Sequence, residues 1–209
     1  MSHPKAVILC KSVHHGSTAK VARVMAAALQ AEVVSPEEFP YPSLEGVGLV
    51  GFGSGVYYGR MHAALFQWLR GLPDTTAVTC PAFVFSTSGL PFLSRFWHAP
   101  LIRELSRKGF EVLGDFHCRG HDSWGPLWLA GGINKRHPDG RDLERASRFA
   151  AGTSKKVWQN EAVVANVCSS LELVRGSGLP DSAIVEVGTD RRLADLEPLE
   201  ALARAVKGI

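Results

Sequence analysis

The chain reads as an α/β fold: a five-stranded parallel sheet wound on both faces, followed by an added C-terminal β-β-α segment. Three observations predict it. The apolar runs of the first 150 residues are short and nearly continuous, as in strands buried on both sides. Stretches of helical periodicity separate them, the alternation that produces right-handed β-α-β crossovers. Polar, glycine-bearing turns follow the first, third and fourth runs, where a doubly wound sheet places its ligand.

Lys5–Cys10 is the first expected strand. The helix expected over Ser17–Gln30 places Val21, Val24, Met25, Ala28 and Leu29 on one face. Ala31–Val34 and Val47–Gly53 are the second and third strands. Met61–Leu72 is a helix with Leu65, Trp68, Leu69 and Leu72 at helical spacing. Ala82–Ser86 is the fourth strand. Ala99–Lys108 is a helix stopped by Gly109, Glu111–Cys118 is the fifth strand, and Asp139–Ala151 is a helix opened by "HPDG". Beyond it, 152–160 reads as a linker, 161–174 and 182–188 as strands split by "RGSGLP", and 193–208 as a helix. That helix gathers Leu196, Leu199, Leu202, Ala203 and Val206 on one side. A unit of this size cannot cover its own apolar face, so residues 153–209 are expected to pack on the 1–152 domain or to serve as a dimerisation arm.

Bulk properties narrow the function classes. The 209 residues suffice for a sizeable core, and no apolar stretch is long enough to span a bilayer. The four cysteines show no metal-ligand spacing, so reduced thiols in a cytoplasmic protein are expected and no metal site is assigned. Residues 1–152 carry sixteen Lys/Arg against twelve Asp/Glu, a net +4. Without a dense basic stripe interleaved with aromatics, a nucleic-acid partner is not indicated.

The turn Ser12-Val13-His14-His15-Gly16-Ser17-Thr18 opens a helix whose first N–H groups are free to hold a phosphate. Its hydroxyls and imidazoles add donors, and Gly16 allows close backbone approach. GxxxxGK[ST] and GxGxxG are both absent from this turn, which excludes a P-loop and disfavours a dinucleotide site. "GFGSGVYYGRMH" supplies glycines for close approach and tyrosines for stacking, and "FSTSGLPFLS" supplies a hydroxyl-rich turn. Read singly, these are helix capping, a glycine-rich bend and a polar turn. Together they share one sheet edge.

In this order, "SVHHGST", "GSGVYYG", "STSG", "CRGHDSWGP" and "GGINKRHP" resemble the motifs of the flavodoxin-like FMN-binding family, over about residues 6–151. The resemblance implies strand order 2-1-3-4-5. It implies an FMN phosphate held by Ser12, His14, His15, Gly16, Ser17 and Thr18. Ser54, Gly55, Val56 and Tyr57 would flank one side of the isoalloxazine, and Ser86, Thr87, Ser88 and Gly89 the other side and its polar edge. Ser17 departs from the family's usual Asn, which weakens but does not remove phosphate contacts. The family's electron shuttles are typically acidic, unlike this +4 core.

His121 and Asp122 follow the fifth strand and are candidates for proton donation to a substrate above the flavin; the other reading is that Asp122 caps a turn and Trp124 packs beneath it. Cys118 reads as a buried, inert thiol. The expected function is an FMN-dependent oxidoreductase that passes hydride or electrons from NAD(P)H or another donor to a small acceptor such as a quinone. The alternative is an electron-transfer protein working on a redox partner protein, and the remaining class is a module that has lost its flavin.

Overall fold

The structure is a computed structural model that describes residues 5–39, 44, 46–72, 80–89, 93–121 and 133–176, with backbone alone for 159–176. The elements run β1 (Lys5–Lys11), α1 (Ser17–Leu29), β2 (Glu32–Val34), β3 (Val47–Tyr57), β4 (Arg60–Met61), α2 (Ala63–Gly71), β5 (Pro81–Ser88), α3 (Ser94–Arg107), β6 (Glu111–Arg119) and α4 (Gly140–Gly176). Five strands pair in parallel in the order β2-β1-β3-β5-β6. This is the expected doubly wound order, with β4 added as a short antiparallel partner of β3. The chain divides into two compact units, Met1–Val157 and Trp158–Ile209. No helix among the described residues is long and apolar enough to cross a membrane.

Side-chain alternation along the strands builds two cores. Val7, Leu9, Val50, Phe52 and Val84 pack with Leu65, Trp68 and Leu69 of α2 and Leu101 and Leu105 of α3. The opposite face holds Phe83, Phe85 and Phe116, with Phe83 and Phe116 against Phe149 of α4. On that face β3 presents Gly51 and Gly53. A Cβ on Gly51 would stand 2.5 Å from the Phe83 ring, and one on Gly53 would run into the Phe85 ring. The glycines of "VGLVGFG" are therefore sockets for two phenyl rings of the neighbouring strand.

Four expectations change. β3 continues past Gly53 to Tyr57 and turns at Tyr58-Gly59, where both φ angles are positive, into β4. The glycine-rich "loop" is thus the end of a strand and a hairpin. β5 likewise continues from Ser86 to Ser88, because Ser86, Thr87 and Ser88 pair with His117, Cys118 and Arg119 of β6. α3 begins at Ser94 rather than Ala99, with Pro100 inside it. Pro100 leaves the Phe96 carbonyl without its helical partner, and Phe96 is solvent-exposed, so water can take the vacated acceptor. Finally, the linker at 152–160 and the strand at 161–174 are overturned, since α4 runs through both. Gly152 is the one glycine or proline between residues 141 and 175, too weak a breaker to stop a helix, and a short apolar run does not by itself distinguish strand from helix. The strand expected at 182–188 and the helix at 193–208 lie outside the described residues.

Overpacking at the strand socket gives a direct test. Gly53→Ala is expected to cost about 1–3 kcal/mol, read as a lower urea midpoint. Adding Phe85→Leu to that variant should recover part of the loss.

Candidate functional site

The turn after β1 ends with two left-handed residues, His15 (φ 53°) and Gly16 (φ 66°). They bend the chain so that α1 begins at Ser17 with no side-chain cap and no acidic residue in its first turn. A Cβ on Gly16 would meet nothing within 4 Å, so space lies open beside the helix start. Beneath the turn, Ser12 Oγ is buried and, among the described residues, has no hydrogen-bond partner. A buried hydroxyl without a partner is costly in a finished fold. Together with an uncapped helix start it suits an anion. The phosphate of FMN fits this donor set.

Ser17 and Thr18 do not turn their hydroxyls outward. Both are buried. Thr18 Oγ1 lies 2.7 Å from Thr87 Oγ1, and Ser17 Oγ accepts from the His121 backbone N–H at 3.3 Å. Their side chains bolt α1 to β5 and to the end of β6, which leaves only their backbone N–H groups to face an anion. His14 and His15 are exposed at the mouth. The His14 ring stands edge-on to Tyr57, centroids 5.8 Å apart, and the His15 ring lies over His121 at 3.9 Å.

The β3 end is tied to the same turn. Val13 N–H donates to the Tyr57 phenol oxygen at 3.1 Å. A Cβ on Gly55 would fall 2.7 Å from that oxygen, so Gly55 is what lets the tyrosine fold back. Ser54 is buried, donates to the Gly55 carbonyl at 2.8 Å and accepts from His62 N–H at 3.0 Å. Val56 pairs with Met61 across the hairpin. His62 Nδ1 in turn caps α2 by accepting from Ala64 N–H, and burial holds its ring below the usual histidine range.

The residues of "STSG" separate by strand parity. Thr87 faces α1. Ser86 faces the other way and is fully buried, with its Oγ 2.7 Å from His98 Nε2 and 2.9 Å from His117 Nδ1. Ser88 Oγ lies 3.3 Å from His117 Nε2, and His98 Nδ1 lies 2.6 Å from Asp115 Oδ2. Ser86 is thus inside a polar row, not at an open edge; Ser88 and Gly89 end the strand. Gly89 offers its carbonyl to Asn134 Nδ2 at 3.0 Å. The hydrogen bond from His98 holds the Asp115 carboxyl below the ordinary range. Burial, and then the neighbouring His98, push His117 down to about 4.

Sequence reasoning missed His98, Asp115 and His117. The signal was present as period-2 polarity, with Ser86 and Ser88 on β5 opposite His117 and Arg119 on β6. His98 lies in the first turns of α3, ahead of the Ala99 start that the sequence pattern suggests. Of the proposed acid–base pair, His121 sits beside the β1 turn, and Asp122 lies outside the described residues. Cys118 is buried and its thiol is pushed up to about 12 by that burial, as for an inert cysteine. His137, Asp139 and Asp142 converge at the start of α4. Their bonds are those of a helix cap: Asp142 N–H donates to Asp139 at 2.9 Å, and the Asp142 carboxylate accepts from His137 at 2.6 Å and from Asp139 N–H at 3.3 Å.

His117 sets a pH dependence of stability. The unfolded chain takes its proton near pH 6.5 and the folded chain only near 4, so the contribution is complete above 6.5 and is lost as pH falls toward 4. Urea midpoints should therefore drop across that window by the equivalent of about 3 kcal/mol. His117→Gln should flatten the drop, leaving a smaller slope from His62.

Comparison with known proteins agrees with this geometry. Residues 7–89 match the family model of the flavodoxin domain. An uncharacterised protein of Methanocaldococcus jannaschii is 40% identical over 151 residues, covering 72% of this chain and 99% of its own. Among solved structures, a flavodoxin from the domain Archaea superposes with TM-score 0.55 at 15% identity, over 73% of this chain and 98% of that one. Oxidised flavodoxin 2 from Bacillus cereus gives 0.55 at 17%, over 73% and 99%. Rubredoxin oxygen:oxidoreductase from Desulfovibrio gigas gives 0.57 at 16%, over 75% of this chain and 36% of that one. With the strand order, the uncapped α1 turn and the close relative in agreement, the chain belongs to the flavodoxin-like FMN-binding family.

Proposed function

We propose that this protein is an FMN-dependent oxidoreductase that passes electrons or hydride to a small acceptor such as a quinone, with NAD(P)H as donor. The observation that carries the cofactor assignment is the buried, unpartnered Ser12 hydroxyl beneath an uncapped α1 start. Ser12, the Gly16–Thr18 backbone and the exposed His14 and His15 would hold the phosphate. Tyr57 and the β3 hairpin would bound one side of the ring system, and Ser88 and Gly89 the other. When bound, the flavin supplies one- and two-electron redox chemistry. The chain's own work is to fix the phosphate, shape the ring cleft and keep water from its inner edge.

The alternative reading is an electron-transfer protein that serves a redox partner. The +4 charge of residues 1–152 favours the enzyme, because an acidic surface is what docks a shuttle on basic partners. A cytoplasmic setting is supported by Cys10, Cys80 and Cys118, which are all free thiols. We also assign residues 153–209 a role in holding a homodimer, on the strength of the apolar stripe Leu196, Leu199, Leu202 and Val206 in their sequence.

Purified protein should show a flavin absorption spectrum or acquire one with added FMN. Ser12→Ala should weaken FMN binding about tenfold, the loss of one hydrogen bond to a charged group, measured by fluorescence titration. Anaerobic NADH or NADPH should bleach the bound flavin. A spectrum indifferent to both selects the shuttle, and a protein that never takes up FMN overturns the proposal. Sedimentation should show a dimer for the whole chain and a monomer for residues 1–157.

A further inference from the structure

Large apolar side chains left in water are few here, and they are not scattered. Among the described residues they are Val13, Val33, Tyr58 and Phe96, at 50%, 38%, 83% and 75% exposure. Val33 lies on β2, at the outer edge of the sheet. The other three stand at the carboxyl edge, each on a different element: the turn after β1, the β3–β4 hairpin and the first turn of α3. Contacts beneath them make one continuous rim. Val13 N–H donates to the Tyr57 phenol oxygen, beside Tyr58. A Cβ on Gly59 would stand 3.7 Å from Trp97 Nε1, beside Phe96. Trp97 in turn covers the His117 ring edge-on, at 5.9 Å between centroids, two residues before Arg119.

Both aromatics stand against local preference. Tyr58 has φ 51° and Gly59 φ 73°, the left-handed pair of a tight hairpin turn. Such a turn favours Asn or Asp before the glycine, and a bulky residue there is strained. Tyr58 nonetheless occupies it and keeps most of its surface in water. Phe96 is off the covered face of α3, which consists of Trp97, His98, Leu101 and Leu105. A helix position of that kind ordinarily carries a polar residue.

The unspent charge around this rim has one sign. Arg60, Arg95 and Arg119 are exposed. Arg60 pairs across the hairpin with Tyr57, and Arg119 pairs with Ser88 at the end of β5. Among the described residues, none of the three arginines sits in an ion pair. Of the carboxylates that adjoin the rim, Glu37 is paired with Lys11 and Asp115 with His98. Asp115, held down first by the His98 hydrogen bond, feels Arg95 only at longer range.

We propose that this rim is the docking face for an acidic electron-donor protein; it rests on the flavin reading above and adds a protein to the donors of that site. An apolar centre of Tyr and Phe ringed by Arg has the composition of a protein interface. The three guanidiniums select the sign of the partner, because opposite charge steers the encounter and like charge repels it. A second copy of this chain meeting the rim face to face would set the arginines against each other. In each encounter one electron passes from the partner's reduced centre to the flavin. Two encounters and two protons from water give the fully reduced flavin and two oxidised partners.

The test uses the whole chain, with a reduced [2Fe–2S] ferredoxin of acidic surface as the probe. In anaerobic stopped flow the second-order rate of flavin reduction should fall about tenfold or more between about 0.01 M and about 1 M salt, as the screening length shortens from about 30 Å to about 3 Å. The double variant Arg95→Glu, Arg119→Glu should lower the low-salt rate about tenfold and flatten the salt dependence. Phe96→Ser should raise the half-saturating ferredoxin concentration about tenfold. A rate that ignores salt, or rises with it, overturns the docking face. So does a double variant that takes up FMN and reacts with ferredoxin at the wild-type rate, including one whose only loss is in reduction by NADPH, which assigns the arginines to a nucleotide phosphate. A second arm separates this proposal from the flavin reading. Redox-inert gallium-substituted ferredoxin is titrated into the FMN-free chain and followed by NMR. Shifts gathered at Val13, Tyr58 and Phe96 in a chain that takes up no FMN overturn the flavin reading and leave the docking face standing. Their absence in a chain that does take up FMN overturns the docking face alone.

Discussion

Two phenyl rings standing where β3 has no side chains hold this architecture in place. Phe83 and Phe85 reach across the sheet into the space over Gly51 and Gly53, which forces β5 into one register against β3. A slip by one residue would drive those rings into backbone and turn their strand inside out. Because β5 lies between β3 and β6, that register also sets where Ser86, Thr87 and Ser88 stand. The chemistry at the sheet edge is thus fixed by packing well inside it, by a contact that involves no polar atom.

From there the site is assembled by cross-links between loops distant in sequence. Thr18 joins Thr87, Tyr57 joins Val13, and the backbone at His121 joins Ser17. Each bond pairs an element end with its neighbour, so the β1 turn is braced from three sides while Ser12 and the α1 start keep their donors unspent. A site left with polar atoms unpaired needs such bracing, since nothing within the turn pays to keep it open.

The parallel sheet was legible in the sequence, because continuous apolar runs, helical periodicity and turn residues report burial and backbone shape directly; its strand order came with the family resemblance. What escaped was decided by partners far along the chain. Ser86 looks like a loop residue until His98 and His117 arrive beside it, and Ser17 and Thr18 look like phosphate donors until Thr87 and the end of β6 claim their oxygens. The hairpin after Tyr57 had only a tyrosine-glycine turn to announce it. The misread stretch at 161–174 shows the opposite failure: its apolar residues suit either element, and what decided for helix was the want of any strong breaker before Gly176.

β5 ends as a strand with two unrelated occupations on its two faces. Thr87 looks toward α1 and steadies the turn after β1, while Ser86 and Ser88 look toward α3 and β6 and belong to the histidine row. Three consecutive residues thereby serve two sets of contacts on opposite faces of one strand. Such a strand tolerates exchange of side chains within a face far better than any insertion or deletion. Adding or losing one residue here would hand each face the other's task, so the length of this segment is held more tightly than its composition.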